Sequence, residues 1–501
     1  MKKLTIIMLC LLLTAGCMLV SCNGDNGDIS QTASDTSTVS IDGYDPESGR
    51  YVADLPDFKW DATNETYSTF KVCVYSNVIE TTYFSEDIGY DLYTTTDEVI
   101  NDAVRERNNL VLEKTGVTVT ACPVDGVFAA VQNDIVGGTR LYDAAMPFIG
   151  DCVKLAQEGQ LLALNDEMFA DYIDLSMPWW DQKASEAFSV SDVLFFTTGD
   201  ITIMNKIDTW AITFNKEMYS TLFPGEDSLY DIVKQGKWTY DKLISMAKTA
   251  TVDNGDGVWD YKDQWGLSSA YGDPIAYYLA AGQSLCSKDA DDLPYLSIGS
   301  DASLRLAQDI LQEFSVNNSW RIYAQRLGTP NIWVTALDIF GEGRALFRTS
   351  VFSAIKKLRN YDNGIEFGIV PMPKGSEEQE SYLSPTTGGY GIVIPTSAAD
   401  PEFSAYMIEL IASEAKNTLT PAYYETTLKS RDARDDESEE MLDLIFGNLN
   451  YDIGQIYDFG GVASMFYTLA SSDRSDIASS LEQIQGTIEA KIEETIENFR
   501  D

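Results

Sequence analysis

The feature that most restricts the fold of this chain is a regular alternation of strand and helix patterns between residues 69 and 148. Strand patterns cover residues 69–75, 117–122 and 142–148, and helix patterns cover residues 97–114 and 127–135. In the first helix Ile100, Ala103, Val104 and Val111 fall on one face. A βαβαβ order predicts a mainly parallel sheet that helices cover. Ligands of such α/β sheets bind at the carboxyl ends of the strands.

The rest of the chain continues the α/β pattern. Helices are predicted at residues 239–250 and 302–314, and strands at residues 366–370 and 391–395. The C-terminus carries apolar residues at spacings of three and four, which predicts an amphipathic helix: Ile477, Leu481, Ile484, Ile488, Ile492 and Ile496. A coiled-coil assembly is an alternative, but we expect this helix to pack on its own chain and the protein to be a monomer.

Charge and composition exclude several classes of function. The formal net charge is −43, with 78 acidic and 35 basic residues, so the chain repels phosphate backbones and no nucleic-acid partner is expected. The chain contains no histidine. Catalysis by a Ser-His-Asp or Cys-His pair is therefore excluded.

The N-terminus has the pattern of an export signal. Lys2 and Lys3 precede an apolar run over residues 4–13, which is short for a membrane-spanning helix. Cys22 follows Leu-Val-Ser, the arrangement of a bacterial lipobox, and Cys17 is the alternative lipidation site. An ordinary cleaved signal or an uncleaved anchor is also open. We predict a signal peptide over residues 1–21 and a protein held by lipid on the outer face of the cell membrane.

Residues 22–66 are predicted to form a flexible linker between the lipid and the folded body, because residues 23–50 are rich in Asn, Gly, Asp, Ser and Thr. The remaining cysteines are even in number, which permits disulfides outside the cytoplasm: Cys73, Cys122, Cys152 and Cys286. Their pairing stays open, since such cysteines in apolar runs commonly only pack.

An acidic loop at residues 251–267 is a candidate calcium site. Aligning Gly257 with the glycine of an EF-hand loop brings oxygen-bearing side chains near the ligand positions: Asp253, Asn254, Asp256, Asp260 and Asp263. Position one falls on Val252, which has no side-chain oxygen, and Asp263 is shorter than the usual glutamate. The alternative is a solvated turn, for which Asn-Gly and Asp-Gly are ordinary residues. We expect no required cofactor, with structural Ca²⁺ as the one candidate.

Several stretches together resemble family 1 extracellular solute-binding proteins of ABC importers. The resemblance covers roughly residues 67–501, and the order and spacing of the stretches carry it: Trp210–Tyr219, Gly236–Tyr240 before a helix and an Asp/Asn/Gly loop that ends in Trp265-Gly266-Leu267, Phe340–Phe347, Phe367–Lys374, and Thr387–Ile392.

The resemblance implies an α/β, two-lobed, periplasmic-binding-protein-like fold of type II, with mixed, mainly parallel sheets, flanking helices and a hinge between the lobes. Lobe 1 is expected to contain residues 67–209 and 366–415, and lobe 2 residues 215–365 and 416–501. It also implies that a solute, usually a mono- or oligosaccharide, binds in the cleft and passes to the permease subunits of an ABC transporter.

Aromatic rings suit the C–H faces of sugars, and polar side chains suit their hydroxyl groups. The resemblance points to Phe352, where Ser-Val-Phe replaces the more usual Gly-x-Trp, and to Tyr390 beside Gly389. The other predicted ligand-binding residues are Trp179, Trp180 and Asp200 before the first crossing, and Tyr271 after the acidic loop. Because adjacent tryptophans cannot both be buried on one strand face, we expect one of them to face the cleft.

Two other classes of function remain alternatives at this point. The first is a surface receptor for glycans or peptides that does not transport them. The second is a secreted glycoside hydrolase, which needs only a pair of carboxylates. We expect a binding protein and not an enzyme, since acidic pairs are too abundant in this chain to be specific.

Overall fold

The computed structural model describes residues 42–76, 86–92, 98–314, 320–329, 331–358, 361, 365–424 and 436–500. The predicted signal peptide, the lipidation site Cys22 and linker residues 22–41 lie outside the described residues. In the part of the chain that is described, no helix has both the length and the apolar character needed to cross a membrane.

The strands, in chain order, are β1 (Tyr44–Asp45), β2 (Arg50–Tyr51), β3 (Thr69–Tyr75), β4 (Thr118–Val124), β5 (Ala144–Ala145), β6 (Leu161–Leu162), β7 (Trp210–Asn215), β8 (Trp265–Ser269), β9 (Cys286–Lys288), β10 (Pro294–Leu296), β11 (Arg321–Tyr323), β12 (Ala345–Val351), β13 (Phe367–Val370), β14 (Ser384–Pro385), β15 (Ile394–Pro395) and β16 (Leu449–Asn450).

The α-helices are α1 (Glu98–Thr115), α2 (Val127–Gly137), α3 (Ile149–Gln157), α4 (Gln182–Phe188), α5 (Met204–Ile207), α6 (Lys216–Leu222), α7 (Leu229–Lys234), α8 (Tyr240–Ala250), α9 (Asp273–Ala280), α10 (Asp301–Glu313), α11 (Ile332–Gly341), α12 (Phe352–Lys357), α13 (Pro401–Asn417), α14 (Leu419–Pro421), α15 (Asp436–Phe446), α16 (Ile453–Tyr457), α17 (Val462–Ser471) and α18 (Ile477–Arg500).

Short polar side chains begin many of these helices. Asn215, Thr239, Ser300 and Asp400 each accept a hydrogen bond from a backbone N–H in the first turn of the helix that follows. Such caps satisfy N–H groups that have no partner inside the helix. The helices predicted at residues 97–114, 127–135, 239–250 and 302–314 all form, within a few residues of the predicted bounds.

The first lobe is built on the parallel sheet β4-β3-β5. Phe70, Val72, Cys73 and Val74 of β3 are fully or almost fully buried. Such a run is typical of a parallel strand covered on both faces. The third strand of the predicted βαβαβ unit is shorter than expected, and Ala145 continues the sheet through an antiparallel bridge to Val393.

The second lobe is built on a mixed sheet with strand order β11-β8-β12-β7-β13. Strands β11, β8 and β12 run parallel, whereas β7 and β13 are antiparallel to their neighbours. The carboxyl ends of β8, β11 and β12 therefore lie at one edge of the sheet, where β7 begins. This edge is where an α/β sheet of this kind binds its ligand.

The predicted lobe boundary at residue 366 is wrong. Strand β13 pairs with β7 from Phe367 opposite Asn215 to Val370 opposite Ile212, so it belongs to the sheet of the second lobe. The chain returns to the first lobe near Thr386, which forms an antiparallel bridge with Thr209 of the first crossing. The boundary at residue 415 is also early, because α13 continues to Asn417 and α14 still packs against α1 and α13.

The predicted flexible linker is wrong for residues 42–66. Tyr51 and Asn417 of α13 exchange two hydrogen bonds of 2.8 Å. Trp60 is only 8% exposed, and its ring centroid lies 5.6 Å and 5.4 Å from those of Phe403 and Tyr406. The segment is polar in composition, but a few of its aromatic side chains pack against α13. The segment is therefore part of the first lobe.

The C-terminal helix α18 packs on the protein itself, as expected. Ile477, Leu481, Ile488 and Ile492 are buried, against α17, α10 and α3 among other elements. The cysteines at 73, 122, 152 and 286 are free thiols, with Cys73 directly opposite Cys122 on neighbouring strands.

Candidate ligand-binding site

A cavity of about 390 Å³ lies at the carboxyl edge of the second-lobe sheet, beside the first crossing between the lobes. Pockets for small molecules commonly measure about 300–1,000 Å³. The cavity is lined by residues from β7, β12, α11, α12 and the preceding turns: Asp208, Trp210, Asn331, Trp333, Val334, Leu337, Arg348, Ser350, Val351, Ser353, Ala354 and Lys357.

Four aromatic side chains gather at this edge, and we call them the aromatic wall: Trp210, Tyr271, Trp333 and Tyr467. The ring centroid of Tyr271 is 5.3 Å from that of Trp333 and 5.9 Å from that of Tyr467. A Cβ atom at Gly272 would lie 3.3 Å from both Trp210 and Trp333, so the glycine lets both indoles approach. Trp333 stays 41% exposed, which leaves ring surface for a ligand.

The start of α11 sets the position of Trp333. Asn331 caps this helix, and its Oδ1 accepts hydrogen bonds of 3.1 Å from the backbone N–H groups of Trp333 and Val334. An asparagine cap fixes the first turn of a helix. The side chain of Trp333 is therefore held on a defined turn although its ring is half exposed.

Polar side chains line the cavity together with the indoles. Asp208 accepts a hydrogen bond from Thr387 Oγ1, and burial raises the pKa of its carboxyl to about 7. Arg348 and Ser350 are each 2% exposed, and among the described residues neither Arg348 Nε nor Ser350 Oγ has a hydrogen-bond partner. Buried polar atoms without partners cost free energy unless a ligand or water satisfies them.

Of the predicted ligand-binding residues, Tyr271 lies beside this cavity, where its ring contacts that of Trp333, but it is not among the lining residues, so its role in ligand binding stays a prediction. Phe352 is wrong as a stacking residue: it is 2% exposed and packs on Phe446, with ring centroids 4.9 Å apart. The sequence shows that Phe352 follows β12, but the first turn of α12 directs its side chain into the core.

Tyr390 and Gly389 have packing roles in the first lobe. Tyr390 is buried between Tyr75 and Phe148, at ring distances of 5.5 Å and 5.0 Å. Gly389 has a positive φ of 65°, and a Cβ there would lie 2.6 Å from the carbonyl oxygen of Met204. The glycine is needed for this close approach, and neither residue lines the cavity of the second lobe.

Trp179 and Trp180 are both buried and neither lines the cavity of the second lobe, so the expectation that one of them faces a ligand stays a prediction. Their indole N–H groups donate to the two carboxylate oxygens of Glu409, at 3.0 Å and 2.9 Å. The segment is a turn and not a strand, which lets neighbouring side chains point to the same acceptor. The two tryptophans border a separate cavity of about 250 Å³.

Asp200 borders the same separate cavity, and its carboxylate already has partners in the protein. It accepts hydrogen bonds of 3.0 Å from Lys416 and 2.7 Å from Thr420, and Lys206 lies 3.7 Å away. A carboxylate with these partners joins α5 to the end of α13. We therefore assign Asp200 a structural role.

We expect Glu409→Ala to lower the free energy of unfolding by about 1–3 kcal/mol, because it removes the side-chain acceptor of both buried indole N–H groups. Chemical unfolding followed by fluorescence measures the effect. Glu402→Ala, at an exposed ion pair on the same helix, is the control and should change little. Equal effects of the two substitutions would contradict the role assigned to Glu409.

Stability should fall as the pH rises through neutrality. Burial raises the pKa of Asp208, Asp273 and Asp452 to about 7 and that of Glu409 to about 8. Unfolded carboxyls have pKa values of about 4. Between these values the folded state binds more protons than the unfolded state, so the free energy of unfolding decreases with pH.

The measurement is the thermal unfolding midpoint at about pH 5 and about pH 8, and we expect it to be higher at the lower pH. The high net negative charge acts in the same direction, since self-repulsion grows as carboxyls ionise. Glu409→Gln removes one titrating group and should reduce the slope. A midpoint that rises toward the higher pH would contradict the expectation.

The acidic loop is braced by its own side chains. Asp263 is fully buried and accepts from the N–H groups of Asn254 and Asp260, at 2.9 Å and 2.6 Å. Asp253 and Asp256 likewise accept from backbone N–H groups of the turn. No group of three or more acidic or cysteine side chains is arranged for a metal within the described ranges. Calcium binding by this loop stays a prediction.

The sequence profile of bacterial extracellular solute-binding proteins matches residues 91–417, more than half of the chain. The chain belongs to this family. No curated protein matches it in sequence. Membership of a family of extracellular proteins implies that this solute-binding protein is exported.

Solved structures share the fold of this solute-binding protein at low identity. A cyclo/maltodextrin-binding protein in complex with maltotetraose has a TM-score of 0.57 at 15% identity, over 86% of this chain and 98% of that one. The GacH receptor of Streptomyces glaucescens has a TM-score of 0.52 at 16% identity, over 84% of this chain and 97% of that one. UgpB from Mycobacterium tuberculosis, in complex with glycerophosphocholine, has a TM-score of 0.54 at 14% identity, over 78% of this chain and 95% of that one. These likenesses confirm the two-lobed periplasmic-binding-protein-like fold.

Sequence reasoning missed most of the cavity. Trp210 belongs to one of the stretches that carry the family resemblance, but no role was predicted for it. Asp208, Trp333 and Arg348 of the lining, and the neighbouring Tyr467, were not predicted either. The sequence signal that could have indicated Trp333 is its position: it lies in the first turn of α11, which directly follows the asparagine cap, and α11 follows strand β11 of the second lobe.

Proposed function

We propose that this protein captures a mono- or oligosaccharide in the cavity beside the aromatic wall and delivers it to the permease of an ABC importer. The observation that carries the proposal is the pairing of exposed indole surface at Trp333 with two buried polar atoms, Arg348 Nε and Ser350 Oγ, that have no hydrogen-bond partner among the described residues. Sugars present C–H faces that stack on aromatic rings and hydroxyl groups that fill such hydrogen-bonding positions.

The solved relatives support the carbohydrate class. The structures with the same fold are described with maltotetraose in one case and with acarbose in another. Transfer of this class to the present chain rests on the aromatic wall, since low identity establishes only the fold. We further propose that lipid on Cys22 holds the protein at the outer face of the membrane, where it meets the permease.

The lining of the cavity favours binding over hydrolysis. Asp208 is the one carboxylate among the described lining residues. Glycoside hydrolysis generally uses two carboxyl groups that flank the scissile bond. Asp273 lies near Arg348 but is fully buried and does not border the cavity.

The test is thermal unfolding of the exported chain against a panel of mono- and oligosaccharides, each with calcium and with chelator. A ligand that binds the folded state raises the midpoint by mass action. A selective rise with the sugar recovered intact is the expected result, and the chelator arm also tests the acidic loop. Sugar cleavage would contradict the proposal, as would a rise with peptides alone.

A further inference from the structure

The guanidinium of Arg348 is buried with an incomplete set of partners. Its Nη1 donates to the carbonyl oxygens of Ser268, at 3.3 Å, and Thr349. The closest carboxylate oxygen, Oδ2 of Asp273, is 3.8 Å away, which is beyond hydrogen-bonding distance. Nε makes no hydrogen bond to any described residue. An ionised group in this position calls for a further acceptor.

The surrounding charges do not balance this guanidinium. Asp273 is also close enough to Arg321 for both guanidiniums to act on the pKa of its carboxyl, so Asp273 does not serve Arg348 alone. Lys357 adds a second cation to the lining, and the described residues supply it with no ion pair. Asp208, the one described carboxylate of the lining, has a pKa near neutrality. The interior of the cavity is therefore positive.

This local sign is opposite to that of the whole molecule. A net charge of −43 opposes the approach of an anion from a distance. At about 0.15 M ionic strength, charges on the surface are screened beyond about 8 Å. Buried charges are screened much less, so the groups that border the cavity determine which ligand charge is favoured there.

We propose that the solute carries an anionic group, a carboxylate or a phosphate, that binds beside Arg348, Ser350 and Lys357. The arginine fork and the serine hydroxyl donate to anionic oxygens, and charge-assisted hydrogen bonds of this kind are stronger than those to neutral hydroxyl groups. The aromatic wall holds the sugar ring of the same solute. This inference rests on the proposed function and specifies the substrate class.

The experiment is calorimetry with sets of ligands that differ only in charge. Glucose, glucuronate and glucose 6-phosphate form one set, and the galactose series forms a second. Trigalacturonate and its methyl ester provide a longer pair. We expect the anionic member to bind at least about tenfold more tightly than its neutral counterpart. The uronate and phosphate arms distinguish the two kinds of anion.

Variants connect this preference to the cavity. Lys357 is half-buried and lines the cavity. Lys357→Gln should reduce the preference for the anionic ligand several-fold, and Arg348→Gln should remove it. Because Arg348 is buried and its replacement can disturb folding, Lys357→Gln carries the test by itself. Lys237→Gln, at an exposed lysine outside the lining, is the matched control and should leave the preference unchanged.

The outcomes separate this inference from the proposed function. A neutral sugar that binds as tightly as its anionic counterpart overturns the inference and leaves carbohydrate capture intact. A preference for the anion that survives in Lys357→Gln and Arg348→Gln also overturns it. Absence of binding by every sugar of both charges contradicts both proposals.

Discussion

Trp333→Ala is expected to weaken solute binding by about 2–4 kcal/mol, which is about 30-fold to 1,000-fold in Kd. The indole supplies the largest exposed ring of the aromatic wall, at 41% exposure, and Asn331 holds it at the start of α11. Removing it deletes the surface on which a sugar ring stacks. Since the ring is not part of the core, the unfolding midpoint without ligand should change little.

Calorimetry with the tightest-binding sugar of the panel measures the loss. The matched control is Trp259→Ala, because Trp259 has a similar exposure of 47% and lies outside the cavity lining. We expect this control to bind as the original protein does. Wild-type affinity in Trp333→Ala would move the ligand site away from this cavity.

Trp60→Ala is expected to lower the free energy of unfolding by about 3–5 kcal/mol, the usual range for a buried tryptophan. The ring fills a space bordered by Phe58, Tyr172, Phe403 and Tyr406, and its Nε1 donates to Asp400 at 2.9 Å. The substitution leaves a cavity and removes one of the two described side-chain donors to Asp400 Oδ2. A segment that served only as a tether would not respond in this way.

Urea unfolding of the variant and of Val52→Ala tests this expectation. Val52 belongs to the same segment but is 43% exposed, so its truncation should cost little. A small effect of Trp60→Ala would restore the linker prediction for residues 42–66. The expected large effect would establish that this segment is a structural part of the first lobe.

Local patterns were sufficient for most elements and insufficient for the site. The helix over residues 239–250 was recognisable because its apolar period and its threonine cap are both local, and α8 forms there. The packing of other positions depended on distant partners. Trp179 and Trp180 are buried because Glu409, 229 residues or more along the chain, provides an acceptor for both.

The sequence by itself determined the α/β alternation and the family, because periodicity, caps and motif order are properties of neighbouring residues. The tertiary structure decided where the lobes divide and which side chains meet at the candidate cavity. Trp210, Tyr271, Trp333, Arg348 and Tyr467 come from five separate elements or turns, and strand order brings them to one edge. Pairing between distant strands leaves no local signal, so the charge and shape of the cavity emerge only when the sheet of the second lobe has formed.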